Sequence, residues 1–193
     1  MYGTSNSLIK KTNFYRFDEN KVLGSELSNL TQKLQNIPNV NKIVVIADRD
    51  ACVYPSNGKQ KYERLKNNVY RFSIPVADGR NIEDKICIEH YYSDSEITLD
   101  IGGGKHLYQG KNFDEYGVSE DKNYFFDGYA NNKSVTSISI IDSGSRHIRS
   151  ISKKKTIASK NEFANFVKNN PDKFDFKNFK KIYEILEEID KNG

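Results

Sequence analysis

Cysteine, proline and long apolar runs are all scarce in this chain of 193 residues. Cys52 and Cys87 are too few for a disulfide scaffold and lack metal-site spacing, which fits a reducing, cytoplasmic setting. No apolar stretch approaches the ~18 residues that a membrane span requires, so no membrane partner is expected. The opening MYGTSNSLIKK has no apolar run of the kind a secretory leader carries. His90, His106 and His147 show neither H-x-x-x-H nor H-E-x-x-H spacing, and each reads as a surface or packing residue. Neither cysteine has the setting of a catalytic nucleophile. The one glycine-rich stretch, Gly102-Gly103-Gly104, is followed by no GK[ST] and opens no helical pattern. It reads as a tight turn, and ATP hydrolysis by this chain alone is not expected.

Aromatic residues are plentiful. Twelve tyrosines and eleven phenylalanines can furnish most of a core, and the length suits one compact domain. The net charge of +4 conceals an uneven distribution. Residues 1–145 carry 18 Lys and Arg against 19 Asp and Glu, whereas residues 146–181 carry 11 against 3. The basic surplus therefore sits in one segment, where a polyanion would touch the molecule; the alternative is a well-solvated helical surface.

Leu23, Leu27, Leu30, Leu34 and Ile37 recur at helical spacing, with Ser25 as a cap and Pro38 beyond the end. Before them, Asn13–Phe17 is β-prone; after them, Lys42–Ala47 (KIVVIA) is an unbroken apolar run, as in a strand covered on both faces. Strand, helix and strand make one βαβ unit. A helix is expected over about 59–67, strands over Val69–Ile74 and Ile86–Tyr92, and a polar hairpin over 93–117. A further strand is expected at Thr136–Ile141. Ser159-Lys160-Asn161-Glu162 fits a capping box ahead of Phe163, Phe166 and Val167. Pro171 ends that helix, and a last one from about Asp175 carries Phe176, Phe179, Ile182, Leu186 and Ile189 on one face. The expectation is a single α/β domain over residues 1–193. Its core spans about 1–117, and an extension with basic helices spans 118–193.

Chemistry concentrates at Asp48-Arg49-Asp50, where KIVVIA ends. Ligands of open parallel sheets bind at the carboxyl ends of strands, and two carboxylates can hold a hard cation such as Mg²⁺. The alternative is a strand end with solvated acids, one of them paired to Arg49. Glu89 lies within the apolar and aromatic run ICIEHYY. Either it is buried and needs a partner, or it faces water from a half-exposed strand. Lys160, inside the capping box, reads either as a helix-N-terminal group able to meet phosphate or as a solvated first-turn lysine.

In that order, NKIVVIADRDA, CIEHYY and TIASKNEFANFV resemble the acidic D-x-D motif, the next catalytic segment and the late lysine motif of the Toprim half of OLD-family proteins. Those are bacterial ATPase–Toprim proteins associated with phage defence, and the resemblance covers roughly residues 13–190. It implies a Toprim-like α/β fold with a mostly parallel central sheet flanked by helices and a C-terminal helical pair. It also implies a two-metal, Mg²⁺- or Mn²⁺-dependent DNA endonuclease. Asp48, Asp50 and Glu89 match the metal ligands, and Lys160 matches a lysine that stabilises charge at the scissile phosphate. DNA is the implied partner, with an ATPase domain in the same or another chain as a second. Two departures stand out. Cys87-Ile88-Glu89 has cysteine where the family has serine, and no E-G-x-x-D/E motif precedes Asp18. The chain is then expected to be a piece of a longer protein, or else a module that binds nucleic acid or a partner without a complete site.

Overall fold

The β-branched residues of Ile43–Ala47 favour extended backbone, and in the computed structural model they form strand β1. The structure describes residues 24–49, 54–56, 58–81, 85–129 and 135–192. The chain divides into two compact units, one made of Met1–Ile88 and Lys177–Gly193, the other of Glu89–Phe176.

In the first unit, helix α1 (Gly24–Leu34) precedes β1, and strands β2 (Glu63–Arg64) and β3 (Val69–Ser73) complete a three-stranded sheet in the order β1-β3-β2. β3 runs parallel to β1, with Val45 opposite Arg71, and antiparallel to β2. Its central place explains why Val69, Tyr70, Phe72 and Ser73 are all buried, whereas only Val45 and Ala47 of β1 are. Helix α4 (Lys180–Asn192) buries Ile182, Ile185 and Ile189. Side chains tie it to the rest of the unit. Lys42 Nζ donates to the carbonyls of Ile189 (3.0 Å) and Asp190 (2.7 Å), at the end of the helix where a cation is favoured. Lys181 Nζ donates to Val76 O (2.9 Å) and Asp78 Oδ1 (2.7 Å).

The second unit has short elements. Helix α2 (Asp94–Ile97) starts at a capping box on Ser93. β4 (Tyr108–Gln109) pairs antiparallel with β6 (Ile140–Ile141), and β5 (Tyr124–Phe126) pairs antiparallel with β7 (Ile148–Ser150). Helix α3 (Lys160–Asn169) follows its own capping box on Ser159. Two cores result. Ile97, Leu107, Ala158, Phe163, Val167 and Phe174 form one, and Tyr108, Phe113, Tyr124, Phe126 and Ile141 form the other. Gly102, Gly103 and Gly104 make a tight turn with positive φ at each residue, closed by Asp100 Oδ1 accepting from the N–H groups of Gly102 and Gly104.

Several expectations are corrected here. The Toprim-like, mostly parallel central sheet is not what the described residues form. They form a mixed sheet of three short strands and two antiparallel ribbons of two, with one parallel pair. The helices expected to form a C-terminal pair belong to different units, α3 to the second and α4 to the first. Residues 59–67 are not a helix, because Leu65 N–H bonds Val69 O across a tight turn in which Asn67 and Asn68 take positive φ. Ile86–Tyr92 is not a strand either. Ile88–Tyr91 is a 3₁₀ turn that leads into α2. The strand expected at Asn13–Phe17 lies outside the described residues.

Phe72 is fully buried in the central strand. Phe72→Ala is expected to cost about 3–5 kcal/mol, read as a lowered urea midpoint with an unchanged slope.

Candidate functional site

Glu89 belongs to the 3₁₀ turn Ile88–Tyr91, and its side chain is 9% exposed. A carboxylate at that depth needs a cation or several donors. Lys160, 71 residues later, supplies the cation, with Nζ 3.0 Å from Glu89 Oε2. The two readings of Glu89 left open by the sequence are thereby decided in favour of the buried, partnered one. Lys160 itself is 34% exposed, so the pair lies at the edge of the interior.

Lys160 is placed by the start of α3. Ser159 Oγ accepts from Glu162 N–H (3.1 Å), and Glu162 Oε2 accepts from Ser159 N–H (2.8 Å). Lys105 Nζ then anchors the other carboxylate oxygen, 2.6 Å from Glu162 Oε1. That ammonium, with the Ser159 N–H second, holds the Glu162 carboxyl down at about 2. A second carboxylate approaches the helix start, since Asp142 Oδ2 accepts from Lys160 N–H at 3.4 Å while Oδ1 accepts from Ser145 Oγ at 2.8 Å. An acid at a helix N-terminus is favoured by the unpaired N–H groups there.

Tyr92, three residues after Glu89, belongs to an aromatic cluster. Tyr92 meets Phe163, Phe174 and Phe176 edge-on at 5.3–5.9 Å between ring centroids. Burial first, and then the charge of Glu89, push the Tyr92 hydroxyl up to about 12. The neighbouring His90 is buried, with Nε2 2.8 Å from Ile138 O. His106 stacks on Tyr108 at 4.2 Å, and His147 is exposed.

The other expected site residues are distributed differently. Asp48 follows β1 in the first unit and is half-buried; Glu89 and Lys160 belong to the second. Asp50 and Cys52 lie outside the described residues. Arg49, which the sequence offered as a partner for an adjacent acid, donates from Nη1 to Ser56 Oγ at 2.6 Å. Cys87 is a buried free thiol. Asp78 is bound to Lys181, whose hydrogen bond holds its carboxyl below the usual range. Among the described residues no three His, Cys, Asp or Glu side chains gather as a metal-binding group. The donor chemistry of Asp48, Asp50 and Glu89 nevertheless suits a hard divalent cation, since all three offer carboxylate oxygen.

Sequence reading missed Lys105 and Asp142 as supports of the α3 N-terminus. It also missed α2, although Ser93-Asp94-Ser95-Glu96 is a capping box of the same form as the one at Ser159. Comparison with family models, curated proteins and solved structures finds nothing that matches this chain.

Two outcomes are expected. Glu162 titrates near 2 when folded against about 4.5 ordinarily, so its contribution to stability is complete above pH ~4.5 and is lost as pH falls towards 2. Glu162→Gln is therefore expected to flatten the acid limb of a Tm-against-pH profile across that window. Lys160→Met removes the ammonium from the buried Glu89 carboxylate and is expected to cost about 1–3 kcal/mol. Adding Glu89→Gln should recover part of that loss, as chemical denaturation of the double variant would show.

Proposed function

We propose that the chain is a Mg²⁺- or Mn²⁺-dependent DNA endonuclease, with Asp48, Asp50 and Glu89 as cation-binding carboxylates and Lys160 at the scissile phosphate. The observation that supports this reading is the ion pair between Glu89 and Lys160. The two residues lie 71 positions apart in the sequence. The fold holds them 3.0 Å apart. Divalent cations supply phosphodiester hydrolysis with an activated water and a stabilised leaving oxygen. The chain's own part is to fix carboxylate oxygens and to bring an ammonium to the phosphate. Lys160, at the first turn of α3, stands where backbone N–H groups also favour an anion. An ATPase as working partner, a role in phage defence and a cytoplasmic setting belong to the same reading. Among the described residues no helix is long and apolar enough to cross a membrane.

A second reading is a module that binds DNA or a protein partner without cutting. It is favoured by the ion pair itself, in which the Lys160 ammonium balances the Glu89 charge.

Nicking of supercoiled plasmid separates the two. In Mn²⁺ the chain is expected to nick slowly, and Asp48→Ala or Glu89→Gln should lower the rate by about 10²-fold or more, as removal of one element of a charge-stabilising site does. Chelation should abolish the activity. Nicking no faster than that of the folded Asp48→Ala variant would leave the binding module as the function.

A further inference from the structure

The ribbon of the second unit has a face that neither aromatic core uses. β5 is its middle strand. β7 pairs on one side, and residues 117–119 pair on the other through the Val118–Phe125 bridge and hydrogen bonds from Ser119 N to Tyr124 O and from Phe126 N to Gly117 O. Tyr124 and Phe126 enter the core, so Phe125 between them faces the opposite way and is half-buried. Residues directly opposed across antiparallel strands share a face. Val118, Phe125 and Arg149 therefore stand in one row. Ile151 lies two residues beyond Arg149, held by its N–H to Asn123 O, and is 55% exposed. Tyr116, in the turn two residues before Val118, is 73% exposed.

Charge is laid across this ribbon. Arg146, Arg149, Lys153, Lys154 and Lys155 are all exposed along β7 and its continuation. Asp114, Glu115 and Glu120 are exposed along the opposite edge. Arg149 is paired with Asp127, so the free positive charge lies at Arg146 and in the Lys153–Lys155 run.

We propose that this face binds single-stranded DNA, its phosphates following the Arg146–Lys155 edge and its bases stacking on Phe125 and the flanking Tyr116. The inference rests on the reading of DNA as the partner, but not on cleavage. Aromatic rings beside a basic track, here the half-buried Phe125 and the exposed Tyr116, are what a single strand requires, because every unpaired base offers a ring face while its phosphates need cations. A duplex hides its ring faces. Strands ~4.8 Å apart put the acidic edge only about 10 Å from the basic one, within the ~12 Å width of a duplex major groove. A duplex on this face would therefore set phosphates against both charges, whereas a single strand can keep its phosphates on the basic edge and turn only its uncharged bases towards Phe125 and Tyr116.

Fluorescence anisotropy in EDTA tests this with labelled oligo(dT) and a duplex of equal length. The chain is expected to bind oligo(dT) at least ~10-fold more tightly. Phe125→Ala should weaken that binding about tenfold or more while leaving the salt dependence unchanged. Phe125→Leu, which keeps apolar bulk without a ring, should show the same loss with an unaltered melting temperature. Replacing Lys153, Lys154 and Lys155 together with Ala should instead flatten the salt dependence. Equal affinity for both probes, or oligo(dT) binding indifferent to both Phe125 variants, overturns the inference and leaves the DNA reading in place. Absence of salt-dependent binding to either probe overturns both.

Discussion

A carboxylate can satisfy two or three donors at once, and the stretch 89–176 depends on that capacity. Its elements are too short to saturate their own backbone, so acidic side chains do what long helices and wide sheets do elsewhere. Asp100 closes the glycine turn, Asp114 Oδ1 accepts from the N–H groups of Tyr116 and Val118, and Glu96 and Glu162 close the two capping boxes. Asp121 gathers the most donors. It accepts from the hydroxyls of Tyr108, Ser119 and Thr156 and from Asn123, and so joins both ends of the β5 ribbon to the buried Tyr108. Burial alone would raise its carboxyl, but the donors from Ser119, Tyr108 and Asn123 outweigh it and hold it at about 2.

Glu89 adds a different kind of contact to this set: it meets the ammonium of Lys160 at low exposure. An ion pair in such a place is a poor source of stability compared with an apolar pair of the same size. Lys160 keeps a third of its side chain in contact with water, so the pair is open to solvent on the lysine side.

How much of this could be read beforehand varied with the range of the interactions. The α3 capping box, the β-branched strand at Ile43–Ala47, β3 and the glycine turn follow from neighbours within a few residues, and all were legible. The segment 86–92 was misread because its apolar residues suit a strand, while the Ser93 capping box just downstream commits the chain to turn and helix. Residues 59–67 were misread as helix because two asparagines in left-handed conformation, rather than a glycine, make the turn between β2 and β3.

Residue types and their order by themselves marked Glu89, Lys160 and the acids that follow KIVVIA as candidate groups. They also determined where the basic surplus lies, because charge and local capping need no distant partner. The tertiary structure decided the rest. It set which strand is central, how the sheets divide into short pieces, and that Glu89 and Lys160 meet across 71 residues. Strand order and long-range pairing depend on loop closure and on the burial of whole faces, and no local pattern encodes either.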